Sequence, residues 1–572
     1  MVENIAEKPF INFMDEFSKA TEMTKQLKEE DVPRHYLMVR RVLLTPSKCV
    51  LLPKEPILQN GIVRQYNEDY FLRLAYRDED YKRLNAMQPY GLDCIFADLK
   101  RFFNKGLTIY DRHYELLGCS NGQLREHGFW FYSSHDGITA AFIREKHGNF
   151  SEERSFASYV SHFGLSFSEY NLKLDAKICT EEVIYDREFQ MSGICLIDCI
   201  GKISTKTATE IAKEMNIKAV PSAFQIHYNG CKGVVVQDPL LEQGITLFIR
   251  QSLKRHQSSS SCLEILKTSY PGRLYLNRQI ISLLSGFGVP DDAFQDLQES
   301  MLFELADMLL YDEKALTILK EISLDIKFQN LFEKGISFVR EPFFRSLLLR
   351  VYHHRLDDLK QRTRIQIDVD KSRNMIGTSD KSRSLKYGQV FIQYSKDPSD
   401  AGKKLQIVLG KVLVTKYPSI HPEDLQIFEA VDVPGLRHVV DCIVFPQCGP
   451  RPFRDEMSPS DDIYGDEYFV LWDKRFLILK NKINSQNDSK EKLASDVQGT
   501  NMADFLVNYL KNDHLQIIAE SHLARSDSEQ EGIFSDCCIE LAEMYSGVLD
   551  CLQTGKSHKS AQSSFPKSIP IS

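Results

Sequence analysis

Three aspartates, Asp461, Asp462 and Asp466, fall within six residues of the stretch SPSDDIYGDEYFVLWD (458–473), and an apolar run follows at once. Carboxylates on a tight turn ahead of a strand suit Mg²⁺, a hard cation that prefers oxygen ligands and keeps waters for its substrate. A pair of such ions activates an attacking hydroxyl and stabilises a leaving pyrophosphate. Acid-rich Asp/Ser/Gly/Pro loops are also common as plain solvated connectors, so composition alone leaves both readings open. In extended backbone alternate residues share a side, which groups Asp462, Tyr464 and Asp466 and turns Asp461 away. Only a bulge or kink, eased by Gly465, would bring Asp461 round to join them.

Other residues invite chemistry with less support. Lys232 in GCKGVV, and Lys411 and Lys416 in LGKVLVTK, sit in β-rich segments beside glycines. A lysine held there can reach a phosphate, although an ordinary surface lysine on a strand explains the same residues. GCSNG (Gly118–Gly122) fits the G-x-S-x-G elbow of hydrolases, with Ser120 as nucleophile. The following NGQLREHGFWFY does not read as the long helix that elbow requires. QTGKS (Gln553–Ser557) ends like a phosphate-binding loop, but Asp550 occupies the place of its first glycine.

Elements able to hold such groups alternate along the chain. From Tyr36 to about Ser168, short β-rich runs are separated by turns; residues 1–34 read as a helix or tether. MSGICLIDCIGKIS, a helical TKTATEIAKEM and SAFQIHYNGCKGVVVQDP together suggest a compact β-barrel with an inserted helix. Residues 255–365 have helical spacing, in PDDAFQDLQESMLFELADMLLYDEKALTILKEI and EPFFRSLLLRVYHHRLDDLKQRTRIQ. β patterns return at about 385–480. A polar connector (481–500), further helices (501–555) and a polar tail (556–572), expected to be disordered, complete the chain.

The bulk numbers bound the function. At 572 residues the chain exceeds one ordinary core, so several domains are expected. No apolar run approaches the roughly 20 residues that span a bilayer. The N-terminus lacks the apolar core of a signal peptide, which predicts a cytoplasmic or nuclear protein without a membrane partner. Thirteen cysteines without a C-x-x-C pair suggest neither a zinc ribbon nor a disulfide framework. A net charge of −8 argues against a simple cationic nucleic-acid coat, yet leaves room for one local basic channel.

In order, LQNGIVRQY, GCSNGQLREHGFWFY, PSAFQIHYNGCKGVVVQDP, YLNRQIISLLSGFGV, EPFFRSLL, YGQVFIQ, GKVLVTKYPSIHPEDLQIFEAVDVPGLRHVVDCIVFPQCGPRP and AESHLARSD resemble the cellular RNA-dependent RNA polymerases of eukaryotic RNA silencing, over about residues 35–555. The resemblance implies an α+β fold with two double-psi β-barrels, at 185–255 and 385–480. They flank a helical connector (256–384), follow a β-rich slab (35–184), and form the active site between them. It places DIYGD (Asp462–Asp466) on the family's Asp-x-Asp-Gly-Asp metal loop, with Asp462 as the first and Asp466 as the last aspartate. Asp461 is a candidate third ligand. Lys232 matches the lysine of the first barrel's Lys-Gly motif. A second family lysine falls on Lys254 or Arg255, and Arg451 in GPRP is a nucleotide contact by position. The implied cofactor is Mg²⁺, or Mn²⁺, and the implied partners are an RNA template, ribonucleoside triphosphates and silencing-pathway proteins. The implied activity is synthesis of double-stranded RNA in small-RNA silencing.

Two departures qualify the resemblance. Tyr464 stands where the family has its middle aspartate, and Cys199 in DCIG (Asp198–Gly201) replaces a glycine. The family's longer N-terminal RNA-binding part is expected to be absent and the C-terminal end shortened. The alternative is a catalytically impaired paralogue that serves as an RNA-binding or silencing-complex scaffold.

Overall fold

The computed structural model describes residues 36–84, 92–147, 156–170, 172–174, 200–241, 247–249, 253–254, 262–321, 326–396, 404–447, 467–477, 501–511 and 514–554, with short pieces at 18, 190–191, 194–195, 495–496 and 556–557. Nearly all of the expected N-terminal helix or tether lies outside the described residues, as does most of the polar connector and of the tail. A two-residue antiparallel ladder joins Ser495–Asp496, in the former, to Lys556–Ser557, in the latter.

The N-terminal part is a six-stranded sheet. Its strands are β1 (Tyr36–Leu44), β2 (Cys49–Leu58), β3 (Phe71–Tyr76), β4 (Leu107–Ile109), β5 (Arg112–Gly118) and β6 (Gly128–Tyr132), in the order β2-β1-β3-β6-β5-β4. The run GFWFY shows why both faces are covered. Phe129 and Phe131 face one cluster, with Phe96, Leu99 and Phe103 of helix α1 (Leu92–Lys105). Trp130 and Tyr132 face another, with Phe163 and Phe167. Two-residue alternation thus sends one aromatic pair to each side. Phe505, Leu506 and Tyr509 from near the C-terminus join the first cluster, so the end of the chain closes over its beginning.

Residues 118–122 are structural. Ser120 caps the short helix α2 (Asn121–Arg125): its Oγ accepts from the Gln123 amide at 3.2 Å, and Gln123 Oε1 accepts from the Ser120 amide at 3.0 Å. This reciprocal capping box satisfies two amide donors that a helix start leaves open.

The second sheet is an open half-barrel. Its strands are β7 (Leu172–Leu174), β10 (Ile200–Ile203), β11 (Ala223–Tyr228), β12 (Cys231–Gln237), β13 (Leu247–Phe248) and β14 (Leu263–Thr268), in the order β13-β10-β12-β11-β14-β7. A small hairpin, β8 (Gln190–Met191) and β9 (Ile194–Cys195), precedes β10. Parallel strands β10 and β12 require a crossover, and helix α5 (Thr205–Glu214) supplies it, after α3 (Ala140–Lys146) and α4 (Phe156–Gly164) earlier in the chain. Asn229 and Gly230, both at positive φ (46° and 75°), make the two-residue β11–β12 turn. Asn-Gly suits it because both central positions are left-handed.

The helical connector comprises α6 (Arg278–Gly286), α7 (Asp291–Asp307), α8 (Asp312–Glu321), α9 (Phe328–Glu333) and α10 (Pro342–Arg362), with the short strand pair β15 (Tyr275–Leu276) and β16 (Ile365–Gln366) at its base. The helical pattern read across 290–322 is two helices, broken at 308–311.

The third sheet closes. Strands β17 (Ser372–Ser379), β18 (Gln389–Ser395), β20 (Gly410–Lys416), β21 (Gln426–Ala430), β22 (Cys442–Phe445) and β23 (Glu467–Leu471) pair in the ring β18-β21-β20-β23-β17-β22, and β22 returns to β18. β19 (Leu405–Ile407) adds to the edge of β18. Met375, Ile392, Val414, Phe428, Tyr468 and Val470 fill the interior. Gly377 is required there, because a Cβ would stand 2.2 Å from the Tyr468 ring. Outside, Leu413, Phe469 and Leu471 pack on α6 and α7, whereas Ile376, Phe391 and Val444 pack on Ala223, Val234 and Val236 of the half-barrel. Helices α11 (Met502–Lys511), α12 (Leu515–Ser528) and α13 (Asp536–Thr554) complete the fold.

Candidate active site

The half-barrel and the closed barrel meet through opposite outer faces, and the site residues are best located from that contact. On β12, Val235 points into the half-barrel's own core, while Val234 and Val236 point toward the closed barrel. Lys232 lies two residues before Val234 and therefore on the same face. It is half-buried and pairs in register with His227 of β11, which pairs in turn with Glu264 of β14. Glu264 is buried and accepts from Arg64 Nη2 at 3.0 Å, while Arg64 Nη1 donates to Tyr170 Oη at 2.9 Å. This row anchors the half-barrel to the N-terminal sheet beside Lys232. Removing one partner would leave the other's charge buried and uncompensated, which is costly.

An isolated antiparallel bridge joins the exposed Lys254 to Cys231, the residue before Lys232. Arg255 lies outside the described residues. So do Arg451, Asp461, Asp462, Tyr464 and Asp466, together with Asp198 and Cys199. Of the chain around the acidic stretch, the structure describes β23, which begins at Glu467, directly after Asp466.

Register separates the two lysines of the second barrel. Lys416 pairs with Tyr468, at the end of β23 nearest the acidic loop, and is itself buried. Lys411 pairs with Glu429 and lies five residues back along β20, about 17 Å further from the start of β23. It is exposed on the side of Leu413, which faces the helical connector. The alternation of β20 turns Lys416 toward the barrel interior with Val412 and Val414.

Ties between the barrels leave no signal in the sequence because their partners are far apart in the chain. Lys381 Nζ donates to the carbonyls of Ile200 at 3.1 Å and Gly201 at 3.0 Å, at the start of β10. Ser222 Oγ accepts from the Val440 amide at 2.9 Å. Lys267 Nζ of the half-barrel lies 3.4 Å from Glu467 Oε1, and within the closed barrel Asn374 Nδ2 donates to Glu467 Oε2 at 3.0 Å. Near Lys416, Asp424 is buried, accepts from Ser419 Oγ at 3.0 Å, and is pushed up by burial to about 7. His421, on the same turn, and the buried His522 of α12 are both pushed down by burial, His522 to about 4.

Among the described residues no group of three or more His, Cys, Asp or Glu could hold a metal. The donor set expected to do so, Asp461, Asp462 and Asp466, is entirely carboxylate, a chemistry that fits Mg²⁺ or Mn²⁺. Among the described residues no helix is long and apolar enough to cross a membrane.

A closed barrel thus packs on a half-barrel whose Lys232 lies on the facing side, and the acidic stretch 461–466 directly precedes β23 in the chain. The family model for RNA dependent RNA polymerase matches residues 44–570, and the chain belongs to that family. It is 35% identical over 546 residues to RNA-dependent RNA polymerase 1 of Arabidopsis thaliana, covering 93% of this chain and 49% of that protein. It is likewise 35% identical over 517 residues to a probable RNA-dependent RNA polymerase 1 of Oryza sativa subsp. japonica, covering 87% and 68% respectively. The chain thus spans about half the length of the Arabidopsis relative. Its fold is similar to that of the RNA dependent RNA polymerase QDE-1 from Thielavia terrestris, with a TM-score of 0.70 at 16% identity over 95% of this chain and 66% of that one. None of these comparisons favours the scaffold alternative.

Proposed function

We propose that this chain copies an RNA template into double-stranded RNA from ribonucleoside triphosphates, as part of small-RNA silencing. The observation that carries the reading is the shared face of β12: Lys232 lies on the side whose Val234 and Val236 pack against the barrel that the acidic loop enters. In this reading both β units are double-psi barrels and the cleft between them holds the growing strand.

Asp462 and Asp466 would hold the metals, with Asp461 as third ligand if the backbone kinks at Gly465. Bound Mg²⁺ or Mn²⁺ supplies activation of a 3′-hydroxyl and neutralisation of a leaving pyrophosphate. Lys232 offsets charge on the triphosphate as the 3′-oxygen attacks its α-phosphorus, and Lys254 extends the same positive field. Arg255 and Arg451 are further proposed nucleotide contacts. Tyr464 cannot offset the charge of two divalent ions, so metal affinity should be weak and Mn²⁺ preferred over Mg²⁺. Incorporation of labelled ribonucleotides on a short RNA template tests the reading, with Asp466→Ala as control. Incorporation lost in Asp466→Ala supports it; incorporation equal in both proteins opposes it.

A further inference from the structure

The exit of the acidic loop is tied across the barrel interface. Glu467 is the first residue of β23 and pairs in register with Ile376 of β17. Along β23, Tyr468 and Val470 point into the barrel, whereas Phe469 and Leu471 point out. Alternation puts Glu467 on the outer side, away from the interior mouth. Both its oxygens are engaged there, Oε1 by Lys267 Nζ at 3.4 Å and Oε2 by Asn374 Nδ2 at 3.0 Å. Lys267 belongs to β14, on the same face of the half-barrel as Lys232: it pairs with Gln225, which pairs with Val234. Asn374 is itself locked to the half-barrel side, because its amide donates to the Gly272 carbonyl at 3.0 Å. Gly272 is needed for that approach, since a Cβ would stand 3.1 Å from the Asn374 carbonyl oxygen.

The Lys267 and Glu467 side chains are about half exposed, at 52% and 41%. An ion pair so open to water adds little to global stability. Its location is the informative feature. It joins the strand that carries the acidic loop to the sheet that carries Lys232, one residue from Asp466.

We propose that Glu467 is a positioning residue. Held by Lys267 and Asn374, it fixes the start of β23, directly after Asp466, against the half-barrel sheet that carries Lys232. It is not assigned as a metal ligand, because both its oxygens are already engaged by Lys267 and Asn374. The proposal rests on the polymerase reading above.

The test compares wild type, Glu467→Gln, Lys267→Met and the swapped pair Lys267→Glu/Glu467→Lys. Two quantities are measured: steady-state ribonucleotide incorporation at low and high salt, and amide hydrogen exchange of the peptide spanning residues 462–471. Each single variant should lower kcat about fivefold at low salt with KM for nucleotide within about twofold, the size of a good exposed pair. Each should also speed exchange of that peptide, and the swapped pair should recover both. High salt should shrink the kcat difference, because the pair is open to screening. Unchanged kcat and exchange in the single variants would overturn the proposal, as would loss without recovery in the swapped pair. If wild type incorporates nothing, the polymerase reading fails separately. Exchange then decides alone: faster in the singles and restored in the swap sustains the tie, and no change removes it.

Discussion

Lys232 and Lys411 look alike in sequence, and the fold separates them. Lys411 follows a Gly and Lys232 a Gly-Cys step in β runs, yet their strands place them very differently. Lys232 lies on the face toward the closed barrel, and Lys411 lies at the far end of β20 opposite Glu429. Lys232→Ala should therefore cut incorporation about a hundredfold, the usual cost of losing one preorganised charge-stabilising group. Lys411→Ala should stay within about twofold. Equal losses in the two variants, measured as kcat/KM for nucleotide, would contradict this assignment. Tyr464 poses the complementary question. Tyr464→Asp restores a carboxylate at the family's middle position, and about 1.4 kcal/mol of recovered transition-state stabilisation would appear as a tenfold faster rate. A slower Tyr464→Asp enzyme would instead mark Tyr464 as an adapted part of the site.

At the scale of elements, the closed barrel depends on a few exacting contacts. Gly377→Ala drives a methyl into the Tyr468 and Phe445 rings, and overpacking of this kind costs about 1–3 kcal/mol. A lower denaturant midpoint with unchanged slope would register it. Arg373 is fully buried and donates to the carbonyls of Ser372, Ser395 and Lys396 at 2.8–2.9 Å. The packing of α12 should depend on pH. His522 titrates lower in the fold than in the unfolded chain, so the unfolded chain binds the proton first. Its contribution is fully present above pH 6.5 and is lost as pH falls toward about 4. Thermal melts at pH 7.5 and 5 should differ more in wild type than in His522→Gln; identical differences would exclude His522 as a source. These elements were unequally legible. The apolar runs of β18, β20 and β22 and the Asn-Gly turn before Lys232 can be read directly, because a strand buried on both faces leaves an uninterrupted apolar run and a left-handed turn its own local signature. β17, SRNMIGTS, cannot. It carries a buried arginine and a glycine in place of an uninterrupted apolar run, so the barrel strand at 372–379 leaves no apolar signature ahead of the β patterns that begin at about 385. The Lys267–Glu467 tie was equally invisible, because a cross-sheet ion pair has no sequence period.

At the scale of the molecule, a chain of net charge −8 must gather its positive groups locally to hold RNA. RNA affinity should fall steeply between about 50 and 200 mM salt, because phosphate contacts release counterions. Filter binding insensitive to salt would count against a phosphate-lined channel. The packing of Ala223, Val234 and Val236 against Phe391, Leu436 and Val444 makes the half-barrel and the closed barrel share a core. Chemistry between them therefore needs no assembly step within the chain. Product analysis is the sharpest test of whether this shared framework copies RNA. Purified protein is incubated with a short RNA template, labelled ribonucleotides and Mn²⁺, and the product is digested with a single-strand-specific ribonuclease. The expected product is labelled, template-length RNA that resists digestion as a duplex and is absent with Asp466→Ala. Product that is absent from the wild-type reaction, or unchanged when the template is omitted, would contradict RNA-templated synthesis by this chain.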